Sequence, residues 1–260
     1  MIRYFKARIS ENRQLNGEHN LLTLVPLTGI NEPEPGQFYM TGTGACNYDP
    51  LLKRPFSLFR RKNNSLQILY RIKGRGTSLI SGLGEGAIVD MLGPLGNSYP
   101  MPAHNETPLI IAGGIGIAPL FSLAERLAGR AYIFYGARTR DELFFLAELK
   151  VFAKGLFIST DDGSYGEKGA IIAVLNDFLT RHSSPVTRHL IYACGPAPMF
   201  ESLWNVVRGT GIKTYVTLEE NMACGIGACL GCVVNTGDGH KSVCKEGPVF
   251  LINDILHITG

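Results

Sequence analysis

The sequence predicts a β domain followed by an α/β domain: an antiparallel six-stranded barrel, a parallel-sheet domain, and a C-terminal cysteine-bearing subdomain. Three observations predict it. Residues 1–101 are short strand-like runs with turn punctuation, and residues 102–218 alternate apolar runs with helix-length segments. Residues 219–260 lose that rhythm and hold four cysteines within 21 residues.

In the first part, residues 4–10, 20–26, 37–41, 55–60, 66–73 and 87–92 are runs of β-branched or aromatic character. NEPEPG, RKNN and GLGEG separate several of them, as turns do in a small antiparallel barrel. A short helix is predicted over 77–80, after Gly76.

A Pro-rich joint, YPMPAHNETP (99–108), marks the change of pattern. Strands are predicted over 109–112, 131–135, 156–160, 189–194 and 213–218, with helices over 119–128, 142–150, 170–179 and 198–208. In the last helix Met199, Phe200, Leu203, Val206 and Val207 form one apolar stripe. Strands alternating with helices imply βαβ units and a buried parallel sheet. There are no internal repeats or low-complexity tracts.

Composition removes several function classes. Hydrophobic residues at 45% and charged residues at 18% describe a globular chain rather than a disordered one. The balance of 25 basic and 22 acidic residues leaves +3, too little to argue for nucleic acid or an anionic membrane surface. The N-terminal MIRYFKARISENR interleaves charge with apolar residues, unlike an export signal. The uncharged stretch 107–124 has membrane-span length, but Gly113, Gly114, Gly116 and Pro119 space it as strand, turn and helix start. A cytoplasmic protein is expected, in which clustered cysteines suggest metal rather than disulfides.

Cys224, Cys229, Cys232 and Cys244 read C-x4-C-x2-C-x11-C. The first two gaps match the plant-type [2Fe–2S] run, in which a loop wraps the cluster and a distant cysteine closes it. Gly225, Gly227, Ala228 and Gly231 are small, so amides there can approach sulfide. Zinc is the alternative, but it prefers paired knuckles and the fourth cysteine is alone. A disulfide or four unrelated thiols also compete. Cys46 and Cys194 have no neighbours at ligand spacing, and Cys46 reads as a small buried or loop residue.

Two glycine turns open helices after strands: Gly113-Gly114-Ile115-Gly116 and Cys194-Gly195-Pro196. Free amides and the helix dipole there suit a pyrophosphate, and two such turns point to one crevice at the carboxyl edge of a parallel sheet. A third strand end supplies Arg138 for phosphate or ribose. In the barrel, Arg54-Pro55-Phe56-Ser57 offers an arginine for diphosphate and a hydroxyl for a flavin edge. Leu69-Tyr70-Arg71 and Gly76-Thr77 follow, the latter with helix-start amides. An arginine on a barrel strand is more often solvated, so the flavin reading rests on the combination.

That order resembles the ferredoxin-reductase superfamily. More closely, it is similar to the electron-transfer subunits of two-subunit, NAD-dependent (type B) dihydroorotate dehydrogenases. The resemblance covers essentially the whole chain through RPFSL (54–58), YRIKGRGT (70–77), GPLGN (93–97), GGIGIAPL (113–120), TDDGSYGEKG (160–169), CGPAPM (194–199), MACGIGACLGC (222–232) and VCKEGPVF (243–250). Phe56 departs from the tyrosine of many reductases but is similar to the apolar residue of this subfamily.

The resemblance implies an FAD barrel (1–101), an NAD domain (102–218) and a [2Fe–2S] subdomain (219–260). Arg54, Pro55, Phe56, Ser57, Leu69, Tyr70, Arg71, Gly76 and Thr77 would hold FAD, and Cys224, Cys229, Cys232 and Cys244 the cluster. Gly113, Gly114, Gly116 and Gly195 would flank NAD, with Cys194 near the nicotinamide. The implied activity moves electrons between NAD and an FMN-containing dihydroorotate dehydrogenase subunit, in a heterotetramer with two of each chain. No dihydroorotate site is expected, since a (β/α)8 barrel takes about 250 residues by itself. Asp161, Asp162, His182 and His189 read as loop and surface residues, with no acid–base pair among them; a role for Asp161 or Asp162 near the adenosine ribose would favour NADH over NADPH. Rivals are the small subunit of an NADH-dependent ferredoxin:NADP oxidoreductase or sulfide dehydrogenase, and a zinc-stabilised nucleotide-binding module.

Overall fold

Phe5, Ala7 and Ile9 are buried between exposed Tyr4, Lys6 and Arg8, so the first strand turns one face inward. In the computed structural model, which describes residues 2–44, 49–182 and 188–255, this is β1 (Arg3–Gln14). It is followed by β2 (His19–Pro26), β3 (Phe38–Thr41), β4 (Arg54–Ser57), β5 (Arg60–Lys62), β6 (Ser65–Arg71), α1 (Arg75–Ser81) and β7 (Ile88–Leu95). Cys46 lies outside the described residues. The strands form one antiparallel sheet in the order β4-β3-β7-β1-β2-β6-β5.

The run expected as a single strand over 55–60 is two strands, which makes seven where six were expected. The reason is a change of partner. The Leu58 N–H donates to Gln37 O at 3.0 Å, and the next N–H, of Phe59, donates to Gln67 O at 3.0 Å. The chain thus leaves β3 and joins β6 within one residue, linking the two edges of the sheet. Phe56 meets Tyr70 across this closure, with ring centroids 5.3 Å apart. Ile9, Leu22, Leu24, Tyr39, Leu58, Leu66 and Ile68 fill the interior.

The remaining elements are β8 (Glu106–Gly113), α2 (Ile117–Arg126), β9 (Tyr132–Ala137), α3 (Leu146–Phe152), β10 (Gly155–Thr160), β11 (Glu167–Lys168), α4 (Ile171–Arg181), β12 (Arg188–Cys194), α5 (Ala197–Val207), β13 (Lys213–Thr217), β14 (Val233–Thr236), β15 (Gly239–Ser242) and β16 (Val249–Leu251). The second sheet runs β11-β10-β9-β8-β12-β13-β16, and its pairs from β11 to β13 are parallel. Leu109, Ile110, Ile111 and Ala112 are all fully buried, as a strand covered on both faces requires. The uncharged stretch 107–124 is therefore β8, a 3-10 turn and most of α2. Among the described residues no helix is long and apolar enough to cross a membrane.

The helix expected over 142–150 begins only at Leu146. The buried Tyr135 hydroxyl donates to Glu142 O at 3.0 Å and accepts the Phe144 N–H at 3.1 Å. Those bonds hold Leu143 and Phe144 in the core and leave Phe145 at φ +55 before the helix starts.

Two compact units result. One comprises the residues up to Ser98 with Glu219–Val234 and His240–Val249; the other comprises Tyr99–Leu218 with Asn235–Gly239 and the residues from Phe250. The C-terminal segment contributes to both. In the second unit Phe178 of α4 anchors the helix to the sheet, with centroids 5.3 Å from Phe134 and 5.5 Å from Phe157. Phe178→Ala should destabilise this unit by about 3–5 kcal/mol. A lowered urea midpoint, followed by the fluorescence of Trp204 in α5, checks it.

Candidate functional site

The cysteine loop reverses direction repeatedly, with positive φ at Gly225, Gly227 and Leu230. These reversals aim successive amides at sulfur. The N–H groups of Ile226 and Ala228 donate to Cys224 Sγ at 3.5 and 3.3 Å. Gly227 N–H donates to Cys244 Sγ at 3.0 Å, and Cys244 N–H to Cys232 Sγ at 3.4 Å. Cys229 acts on the Cys224 thiol, and Cys232 and Cys224 both act on that of Cys244. Cysteine sulfurs under inward amides suit an iron–sulfur cluster, which such donors tune. Among the described residues no three His, Cys, Asp or Glu side chains gather for a single metal ion. The backbone amides, Ile226 first, hold the Cys224 thiol down at about 6, whereas burial pushes Cys244 up to about 12.

Asn97, at the end of GPLGN, ties this segment to the barrel. Its Nδ2 donates to Glu246 O and Val249 O at 3.0 and 2.8 Å, and its Oδ1 accepts the Val249 N–H at 2.9 Å. The Asn97 N–H also donates to Gly247 O at 2.6 Å.

On the barrel, two motifs predicted separately come together. The Arg54 guanidinium, whose Nη1 donates to Leu52 O at 2.5 Å, lies directly on Gly76 in the first turn of α1. A β-carbon at Gly76 would stand 2.3 Å from Arg54 Nε. Thr77 is engaged in the helix start: its hydroxyl accepts the Lys73 and Gly74 N–H groups at 2.9 and 3.0 Å and donates to Gly74 O at 2.9 Å. Pro55 and Ser57 are partly exposed, and Phe56 between them is buried. The Tyr70 hydroxyl donates to Asn12 Oδ1 at 3.2 Å, and burial pushes its pKa up to about 12. Leu69 is buried on the other strand face, level with Leu21 of β2. Arg71 is paired with Glu18 at 2.6 Å.

In the second unit, β8 is central, with β9 on one side and β12 on the other. The chain therefore changes direction between β8 and β12, the point where open α/β sheets take ligands. Both glycine turns lie there. A β-carbon on Gly116 would fall 2.2 Å from Cys194 O, and one on Gly195 would fall 3.2 Å from the Gly113 α-carbon. The turns pack backbone to backbone, with Met199 Sδ 2.9 Å from the Gly113 β-carbon position. Gly114 is at φ +52. Cys194 is buried at the end of β12. The Arg138 Nε donates to Glu142 Oε1 at 2.8 Å. Asp162 accepts the Ser164 N–H at 2.9 Å in an exposed turn, and His182 stacks on Phe178.

Sequence reasoning missed three side chains that organise these sites. Asn12 Nδ2 donates to Ile80 O at 2.8 Å and Leu83 O at 3.0 Å, holding the C-terminal end of α1 to β1. Asn97 clamps the cysteine segment, and Glu142 holds Arg138. A lone asparagine or glutamate carries no local pattern, so only long-range contact reveals these roles.

Comparison with known proteins adds to the geometry. Residues 219–256 match the family model described as the iron-sulfur cluster binding domain of dihydroorotate dehydrogenase B, and residues 110–204 match the oxidoreductase NAD-binding domain. A dihydroorotate dehydrogenase B (NAD(+)) electron transfer subunit of Caldanaerobacter subterraneus subsp. tengcongensis is 35% identical over 96% of this chain and 98% of its own. That of Geobacillus thermodenitrificans is 38% identical over 86% of this chain and 87% of its own. A solved NADH-dependent reduced ferredoxin-NADP oxidoreductase, 25% identical, gives a TM-score of 0.82 over 96% of this chain and 89% of that one.

Two substitutions test the close approaches. Gly76→Ala should push Arg54 aside and weaken FAD binding roughly tenfold or more, one charged hydrogen bond's worth, read by flavin fluorescence titration. Gly116→Ala should cost roughly 1–3 kcal/mol through overpacking on Cys194 O, read as a lower melting temperature.

Proposed function

The chain belongs to the electron-transfer subunits of NAD-dependent dihydroorotate dehydrogenase B, and on that premise we propose that it carries electrons between NAD and a partner subunit that oxidises dihydroorotate to orotate, in pyrimidine biosynthesis. The partner is an FMN-containing catalytic subunit, the assembly a cytoplasmic heterotetramer with two of each chain. Hydride exchange with NAD and one-electron exchange with the partner are the chemistry that FAD and an iron–sulfur cluster supply when bound.

The chain's own residues bind and tune. Arg54 and the Gly76 backbone grip the FAD diphosphate, a reading supported by the guanidinium lying on Gly76. Ser57 offers a hydroxyl to the flavin edge, with Pro55, Phe56, Leu69, Tyr70, Arg71 and Thr77 building the surrounding wall and helix start. Gly113, Gly116 and Gly195 let the two turns pack against one another, and with Gly114 they offer backbone to NAD at that sheet edge, with Cys194 at the nicotinamide end. Arg138 reaches ribose or phosphate only by releasing Glu142. Cys224, Cys229, Cys232 and Cys244 hold a [2Fe–2S] cluster. The observation that carries the proposal is the set of amide-to-sulfur bonds in the cysteine loop, a local arrangement built for bound sulfur ligands.

The structural likeness to the ferredoxin-NADP oxidoreductase favours a second reading, the small subunit of such a complex. Copurification separates them. An FMN-containing partner and reduction of NAD by dihydroorotate support the first; a larger partner rich in [4Fe–4S] clusters sinks it.

An anaerobic NADH titration should bleach the flavin and bring up the EPR signal of a reduced [2Fe–2S] centre. Cys229→Ser should abolish the EPR signal and leave flavin bleaching intact. Colourless protein with one zinc and no iron is the outcome that defeats the proposal.

A further inference from the structure

β3 lies between β4, which carries Arg54–Ser57, and β7. Residues opposite one another on neighbouring strands project from the same face. Met40 is opposite Pro55 on β4 and Leu92 on β7. Its neighbour Tyr39, opposite Phe56, belongs to the barrel interior. Met40 therefore projects from the outer face, yet it is only 1% exposed.

What covers it is the cysteine loop. A β-carbon at Gly225 would lie 2.6 Å from Met40 Cγ, 3.2 Å from its Sδ and 3.2 Å from Leu95 Cδ1. Gly225, at φ +73, joins Cys224 to the three residues whose amides point at Cys224 and Cys244 sulfur. The side chain beneath Gly225 thus decides where those amides stand. Methionine suits the place because an unbranched thioether fills an irregular gap without a fixed shape. Pro55 lies one strand spacing away, about 4.8 Å, on the same face.

We propose that Met40 is a positioning residue for the iron–sulfur centre: its side chain is the seat on which the 224–228 turn rests, and by fixing the amide donors there it sets the centre's reduction potential. The proposal rests on the reading that the four cysteines hold the cluster.

The test uses anaerobically purified, cofactor-loaded protein carrying Met40→Ala or Met40→Leu. FAD, iron and acid-labile sulfide per chain, the EPR spectrum and the cluster midpoint potential are measured. Met40→Ala is expected to keep FAD, to shift the potential negative as amide donors to sulfur are lost, and to retain iron against a chelator roughly tenfold less well. Met40→Leu should restore the wild-type potential. A wild-type potential and EPR spectrum in Met40→Ala, with only the melting temperature lowered, overturns the proposal. A potential in Met40→Leu displaced as far as that of Met40→Ala overturns it also, and this holds even if Met40→Ala loses FAD. Wild-type protein without iron and labile sulfide overturns instead the cysteine reading beneath it.

Discussion

Amide N–H groups bind an anion only when they come within about 3 Å of it, and a β-carbon in the way prevents that. Lack of a β-carbon likewise lets backbone and neighbouring groups come close at each site in the chain. Gly225 and Gly227 let the cysteine loop turn its amides onto sulfur. Gly76 lets the Arg54 guanidinium lie on the first turn of α1, and Gly116 lets the β8 turn touch the carbonyl of Cys194. The rest of each unit holds these bare backbone segments in place. The 31 glycines of the chain are thus partly explained by what backbone must approach.

The holding is done by ordinary groups. Asn12 spans β1, Tyr70 and the end of α1, so the helix start that faces Arg54 is fixed from its far end. Tyr135 pins residues 142–144 and thereby places Glu142, which occupies Arg138. These buried or half-buried hydrogen bonds contribute about 1 kcal/mol each, yet breaking one leaves an unpaired group that costs more. Their value is in geometry.

The cysteine segment illustrates dependence on a scaffold. Chains below about 40 residues rarely fold without metal, disulfide or partner surface. Here the surface is the outer face of β3 and β7, where Met40 and Leu95 meet Gly225 and Asn97 clamps residues 246–249. A metal-binding loop with few apolar side chains of its own gains its rigidity from a barrel that already has a complete core.

Much was legible in the sequence because it is local. Runs of β-branched and aromatic character exposed β1 and β2, apolar runs exposed β8 and β9, and the spacing of Cys224, Cys229 and Cys232 pointed to a cluster loop. The RPFS and GRG motifs were legible as pieces, but their meeting was not, since Arg54 and Gly76 are brought together by the closure of a sheet. Local pattern read 55–60 as one strand; the exchange of partners at Leu58 and Phe59 made it two, because hydrogen-bond partners lie far away in sequence. It likewise left Arg138 and Arg71 free, while the fold gave them Glu142 and Glu18. The sequence by itself determined most of the elements and which residues are candidates for chemistry, through periodicity and spacing. Only the tertiary structure decided which of those residues face one another, because contact depends on chain closure and packing that no single segment encodes.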